Sequence, residues 1–408
     1  MLHDLPRDLP QELIMLQHSD MIANMKNSPF LKSVSVVAIL FFNSITIHAM
    51  PRMQSVFGEP IRVRVVLTQP VANSEALSVV SARMSTNKRL QTGEVVLMNV
   101  PLTSEARRLF ATFQSYSVPA MAMATAFDAT SESALPKRVS LGMNDVPVLD
   151  QGPHGACVTF AATGALDALL NQGDYVSQLC SLELGKYLES RSYLPSGWEG
   201  SWGSYVLARL SEYGMVSLAQ QKAHTCAGVS DYPLNSEDNT GNSMSLDEYA
   251  SLSEDFNNHF SWYSLLLPEM RFAPAWETAH VDDQLLNRVK GLLAAKDAKQ
   301  SVRLIFGTLL PVEHCSAGAC ATYHQTDDTW ALTDAIKRDE HPQYGGHEMI
   351  MTGYDDRAVA VDNVGSKHRG LLFLRNSWGA QYGDHGDFYM TYDFFKHYVM
   401  NVEVLMRP

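Results

Sequence analysis

Residues 157–172, CVTFAATGALDALLNQ, are mostly apolar or small on every side of the helix they would form. Such a helix has no face to turn to water, so other layers must enclose it. A breaker run of Gly152, Pro153 and Gly155 precedes it, and Cys157 is its first residue. The start of a helix lowers a thiol pKa through its dipole and its free N–H groups, and the thiolate is the nucleophilic form. Cys157 is therefore either a small buried side chain or an activated nucleophile. The choice depends on whether the fold brings a base to it.

Around this helix the chain reads as helices followed by strands. SYVLARLSEYG (204–214) is amphipathic with Gly214 as its stop, and VDDQLLNRVKGLLAAK (281–296) predicts another helix. SVRLIFGTLL (301–310) predicts a strand. HEMIMTGYDD (347–356), AVAVDNV (358–364) and GLLFLRNSWG (370–379) predict three successive strands of an antiparallel unit. Residues 235–280 are polar, acidic and aromatic, and read as an insertion. Helices first and strands second predict an α+β fold of two lobes, one helical and one of antiparallel strands, with a cleft between.

Upstream, RVRVVLTQ (62–69) and GEVVLMNVPL (93–102) alternate as the arms of a hairpin. TSEARRLFATFQSY (103–116) predicts a helix with Leu109, Phe110 and Phe113 on one side and Thr103 or Ser104 as its N-cap. Residues 117–136 read as a linker. A hairpin and helix spanning 50–130 bury too little surface to stand alone, so this unit should lie against a domain over 131–408. If Glu94 and Glu105 pair with basic groups across that contact, acid would loosen it.

At the N-terminus, Lys26 and Lys32 lead into the apolar run 33–47, followed by His48, Ala49 and Met50. This is the layout of a secretory signal peptide, with cleavage expected after Ala49 and residues 1–49 removed. The run falls short of the roughly 20 apolar residues of a membrane span. Met25 is a candidate start, because residues 1–24 are unusual ahead of such a signal. A buried core segment and a retained anchor are the other readings of this run. The net charge of −13 and the lack of a basic run argue against nucleic acid and against an anionic membrane surface. The expectation is a secreted monomer with no membrane span in its mature form and no cofactor.

An exported chain can keep disulfides. With five cysteines, two bridges leave one thiol over, and Cys157 has the least ordinary surroundings. Cys315 and Cys320 frame a small SAGA loop, which leaves Cys180 and Cys226 to pair by elimination, although four cysteines allow three connectivities. A zinc site of His314, Cys315, Cys320 and His324 is a rival reading with non-standard spacing. HEMIM at 347–351 is not a zinc HExxH motif, because Met351 stands in its last place.

Two histidines are candidate bases for Cys157. His154 lies three residues before it, on a turn, and His347 follows Gly345 and Gly346 at a strand start. Asn376 lies downstream in FLRNSWG, and an amide oxygen can orient an imidazole. Trp378 could shield that hydrogen bond from water, and Gln151 could offer its amide to an oxyanion beside the Cys157 N–H.

DQGPHGACVTF, GGHEMIMTGYDD and FLRNSWGAQYGDHGDFYM, in that order, resemble the three signature segments of the papain family of cysteine peptidases. The resemblance runs from about Leu135 to the C-terminus, and LPKRVSLGMNDVPVLDQG resembles the family's mature N-terminus. It implies a papain-like two-lobed fold and a polypeptide substrate. It also implies Cys157 as nucleophile, His347 as base and acid, Asn376 as its orienter and Gln151 as oxyanion donor. Trp378, Gly346 and Glu348 would lie at the substrate. It further implies a zymogen whose own prosegment is the inhibitor, here a hairpin and helix where the family commonly has a helical segment. A transamidase, an isopeptidase of the ubiquitin-cleaving kind and a binding protein on a degenerate scaffold are the alternatives.

The chain departs from the family at several positions. His154 and Val158 replace a cysteine and a tryptophan, WEGSWG (198–203) lacks the partner cysteine, and Tyr382 replaces a second tryptophan. Glu348 stands where a small residue is common. Facing the cleft it would favour basic side chains, and facing away it would be a surface carboxylate.

Overall fold

The computed structural model describes residues 59–68, 91–101, 135–236, 242–267 and 283–407. The signal region 1–49, Met25, the helix expected at 103–116, Glu105 and nearly all of the linker lie outside these residues.

The described chain starts with an antiparallel pair, β1 (Pro60–Val66) and β2 (Thr92–Asn99), in register from Pro60↔Met98 to Val66↔Thr92. After β3 (Arg138–Ser140) come α1 (Cys157–Leu170), α2 (Gln178–Glu189) and α3 (Gly203–Tyr213). Two short strands, β4 (Met215–Val216) and β5 (Ser253–Glu254), pair with each other and enclose α4 (Leu218–His224) and α5 (Leu246–Leu252). Then follow β6 (Ser261–Leu266), α6 (Asp283–Leu293), α7 (Ala298–Ser301), β7 (Val302–Pro311), β8 (Ala321–Thr322) and β9 (Thr329–Trp330). The chain ends with α8 (Asp334–Arg338), β10 (Tyr344–Asp362), β11 (Lys367–Arg375), β12 (Asp387–Thr391), α9 (Tyr392–Tyr398) and β13 (Val399–Met406).

Every residue of α1 is buried, as its all-round apolar sequence requires. Its Ala161, Ala162, Ala165, Leu166 and Leu169 pack with Val206, Leu207 and Leu210 of α3 on one hand. On the other they meet Ile305 of β7, Ile350 of β10 and Leu405 of β13. Small residues at these positions let a helix sit close to a sheet on one side and to another helix on the other. The helix ends at Asn171, whose left-handed φ of 58° closes the last turn by donating its N–H to Asp167 O.

Strand β10 is the hub of the large sheet. Its first half pairs with β7 from Tyr344↔Pro311 to Met349↔Phe306. Its second half pairs with β11 from Ile350↔Arg375 to Val361↔Lys367, with an irregularity between Asp355 and Val359. The segments 347–356 and 358–364, expected as two strands, are thus one bent strand. The bend lies at Asp355–Arg357, where Asp355 Oδ1 accepts the Arg357 N–H at 2.7 Å.

Residues 242–267, expected within an insertion, are not set apart from the fold. Strand β6 pairs with β13, and Tyr249, Phe256 and Phe260 are buried. Asp247, Glu248 and Asp255 are exposed and conceal the apolar anchors between them in the sequence.

Asp167 shows what enclosing α1 does to a charge. It is fully buried, and its Oδ1 accepts the Val176 N–H at 2.9 Å. Burial pushes its pKa up from 3.8 to about 8, against the opposing backbone hydrogen bonds. Between those values the unfolded chain has lost the proton and the fold retains it. The stability contribution therefore falls as pH rises through that window. Asp167→Asn keeps the acceptor and removes the titration. Melting temperatures measured from about pH 4 to about pH 8 should fall less steeply for the variant than for the parent. Parallel curves would mean that the folded carboxyl is already ionised.

Candidate active site

Cys157 opens α1 without a capping side chain, since the N-cap position is Ala156. The first-turn N–H groups are therefore left to the thiol rather than to a Ser or Asp. Cys157 is the free cysteine among the described residues. Cys180 bonds to Cys226 and Cys315 to Cys320. In place of a zinc site, His314 pairs with Asp339 at 2.8 Å and His324 with Asp384 at 2.7 Å.

His347 comes to the thiol from the facing sheet, near the start of β10. Cys157 and His347 line one narrow cavity, and the backbone of Glu348, the next residue of that strand, acts on the thiol in the direction that lowers its pKa. The His347 Nε2–H donates to Asn376 Oδ1 at 2.7 Å, and that oxygen also accepts the Ser377 N–H at 2.8 Å. The amide oxygen can only accept, so the bond fixes the tautomer and leaves Nδ1 as the basic nitrogen. Nδ1 is buried with no hydrogen-bond partner. Trp378 stacks on the imidazole at 4.6 Å between centroids and 27° between planes, and closes it off from water.

Gln151 belongs to the same frame. Its backbone N–H donates to Ser377 O at 2.8 Å, its Nε2 donates to His154 O at 2.8 Å, and its Oε1 accepts from Ser377 Oγ at 2.7 Å. The side-chain amide is held at the loop before Cys157, between the nucleophile segment and the Asn376 segment. His154, the rival base, is engaged elsewhere. Its Nε2 meets Pro233 O at 3.0 Å and its ring lies edge-on to Trp198 and Tyr232. The WEGSWG segment lies beside the nucleophile loop, with Gly200 N–H donating to Gly155 O at 3.0 Å. Backbone pairing thus joins the two segments where the family has a disulfide.

The hairpin lies against the domain as the sequence reading expected, but that reading did not single out the residue that reaches the thiol. Strand β2 extends the sheet onto β10 with Asn99 opposite Gly345 and Met98 opposite Gly346, and Val100 N–H donates to Tyr344 O at 2.9 Å. Met98 lines the cavity with Cys157 and His347. Its Sδ lies so close to Gly155 that a Cβ there would sit 2.6 Å from it, so the glycine is needed for this approach. Elsewhere the hairpin rests on the Asn376 side of the site. Leu67 bridges to Tyr382, and Thr68 N–H donates to Gln381 O at 2.9 Å.

Glu348 is not a surface carboxylate. It is 2% exposed and accepts from Asn401 Nδ2 at 3.2 and 3.3 Å. Burial, and then repulsion from Glu403, raise its pKa well above the usual carboxyl range, while the Asn401 hydrogen bonds oppose. Glu94 meets the domain through its backbone oxygen, which accepts from the Tyr382 hydroxyl at 3.4 Å. It stands opposite Arg64 within the hairpin.

Enclosure sets the resting charge state. Burial pushes the Cys157 thiol up to about 12 and pulls the His347 imidazole down to about 4. Under the hairpin the two rest as neutral thiol and neutral imidazole. The rate at which the intact chain reacts with a small thiol electrophile should therefore keep rising through about pH 9. A plateau reached by neutral pH would show that a thiolate–imidazolium pair already exists.

No family model matches the chain, and no curated protein matches it in sequence. Among solved structures, xylellain, a cysteine protease from Xylella fastidiosa, is similar at 15% identity. The match covers 71% of this chain and 94% of that one, with a TM-score of 0.41. Digestive procathepsin L 3 of the Tenebrio molitor larval midgut is similar at 15% identity over 73% and 78%, with a TM-score of 0.38. The ragweed pollen cysteine protease Amb a 11, in its proform, is similar at 14% identity over 73% and 74%, with a TM-score of 0.41. With a buried helix set against an antiparallel sheet and the Gln151, Cys157, His347 and Asn376 segments meeting between them, the chain has the papain-like α+β fold of the cysteine peptidase family that its three segments resemble.

Proposed function

We propose that the protein is a secreted cysteine endopeptidase made as a zymogen, with the β1–β2 hairpin as its inhibitor. The observation that carries this reading is the position of Met98, seated over a buried thiol and an imidazole already oriented by an amide. Once the hairpin leaves, water reaches the site and the desolvation that keeps both groups neutral is relieved. The proton then passes from Cys157 to His347 Nδ1, and the thiolate attacks the carbonyl carbon of a peptide bond. The oxyanion is met by the Cys157 N–H and the Gln151 amide. His347 gives the proton to the leaving amine, and an acyl-enzyme remains on Cys157. Water, deprotonated by His347, attacks that thioester and releases the carboxylic acid and the thiol. The two disulfides suit an oxidising compartment.

Cys157→Ala should abolish turnover of a dipeptidyl amide and leave the melting temperature within a few degrees of the parent, since only one sulfur is lost at a helix start. Asn376→Ala should lower kcat by about a hundredfold or more without reaching zero, because the imidazole loses its orienter and keeps its chemistry. Retained turnover in the first variant rejects the nucleophile. A normal rate in the second means that another group orients His347.

Met98→Ala removes a buried side chain from the docked hairpin, a loss of about 2 kcal/mol or more. If only the docked form blocks Cys157, labelling of the full chain by a small thiol electrophile should accelerate at least about tenfold. An unchanged rate would show that the hairpin does not control access.

A further inference from the structure

The two disulfides differ in their setting. Cys180 and Cys226 are both 0% exposed, and they stand 46 residues apart in sequence. Cys315 is exposed while Cys320 is buried, and they stand 5 apart. A bridge across so short a loop removes little freedom from the unfolded chain, so its effect is local. The backbone of that loop is unusual. Cys315 and Ala317 have left-handed φ angles of 44° and 52°, a region that residues with a Cβ keep only where their surroundings hold them. Gly318, at φ 84°, brings the loop back onto Pro311, so close that a Cβ there would lie 2.7 Å from Pro311 Cδ.

This loop holds the hairpin. The buried Ser316 hydroxyl donates to Asp327 Oδ2 at 3.0 Å and accepts the N–H of Val66, the last residue of β1, at 3.2 Å. Leu67 and Thr68, which follow, are the residues that pair with Tyr382 and Gln381. Ser316 thus fixes the end of β1 where the hairpin rests on the Asn376 side of the site. Ala317, Ala319 and Cys320 share the main hydrophobic cluster with Val63, Val65 and Leu97 of the hairpin. A loop kept in left-handed turns by a sulfur–sulfur bond is therefore part of the hairpin's seat.

The exposed sulfur is the one that an external thiolate can reach. Attack on Cys315 Sγ forms a mixed disulfide there and breaks the bond to Cys320, which leaves as a thiolate and takes up a proton. A second external thiol attacks the outer sulfur of the mixed disulfide and frees Cys315 as a thiol. The bridge gains two electrons and two protons, and the two external thiols depart as their own disulfide. Asn363 Nδ2 donates to Cys315 Sγ at 3.4 Å and so steadies the charge on that sulfur as it leaves.

We propose that the Cys315–Cys320 bridge is a site of exchange with a small thiol or dithiol reductant, and that its opening unseats the hairpin and uncovers Cys157. The proposal rests on the inhibitor reading above and supplies its trigger. Surroundings rich enough in thiol to open the bridge are also those in which an uncovered Cys157 stays reduced.

The test uses the full-length chain and reads the label that a small thiol electrophile leaves on Cys157, located by peptide mapping. In mixtures of reduced and oxidised glutathione, Cys315–Cys320 should open at a poise where Cys180–Cys226 stays closed, and Cys157 labelling should rise with it by about tenfold or more. Without reductant, Cys315→Ser combined with Cys320→Ser should label at the raised rate. Ser316→Ala keeps the bridge and removes the acceptor of the Val66 N–H, and should accelerate labelling about fivefold. Both bridges opening together, or variants that label as slowly as the parent while Met98→Ala labels fast, overturn the latch and leave the inhibitor reading intact. If Met98→Ala is slow as well, both fall. Faster labelling of the bridge variant with no turnover of any peptide amide supports the latch and overturns the peptidase reading.

Discussion

The structure depends on the enclosure of α1. A helix apolar on all sides is stable only if it is covered on all sides, and here β7, β10 and β13 cover one half while α3 covers part of the other. That packing brings the first residue of the helix against the strand that carries His347. Cys157 and His347 are 190 residues apart in numbering and are joined only by this contact between layers. The same burial that makes the contact possible is also what suppresses ionisation of both groups. The one packing arrangement thus assembles the site and holds it neutral while it is covered.

Much of this was legible because local chemistry and tertiary role agree. α1 declares its burial in its composition, and Gln151, Cys157, His347 and Asn376 stand in segments whose neighbours are as distinctive as the residues themselves. The structure then shows how the parts hold one another. Ser377 accepts the Gln151 backbone through its carbonyl and donates to the Gln151 side chain through its hydroxyl. A side chain that serves two segments at once leaves no periodic trace in the sequence.

What stayed hidden was set by pairings across long distances. Met98 reads as one more apolar residue of an alternating strand, and its place over Cys157 follows only from the register of β2 on β10. Asn401 and Glu403 left a weak signal, two polar residues at alternate places in the otherwise apolar strand VMNVEVLM. Such a pattern commonly marks a solvated face, yet both are fully buried here. Glu348 could be read either way, because a single carboxylate after His347 does not reveal that a second acid from β13 stands beside it. The merging of two expected strands into β10 was obscured by Asp355, Asp356 and Arg357, which resemble a turn and make a bend instead.

The covered thiol has a consequence for how the chain survives its own chemistry. One sulfhydryl shares this chain with two disulfides, and a thiolate attacks a disulfide sulfur far faster than a thiol does. A Cys157 kept protonated beneath Met98 is a poor partner for that exchange and a poor target for the oxidants that take thiolates to sulfenic acid. If the hairpin is the inhibitor proposed above, its cover over Cys157 would also spare the two cross-links and the nucleophile from that chemistry until it leaves.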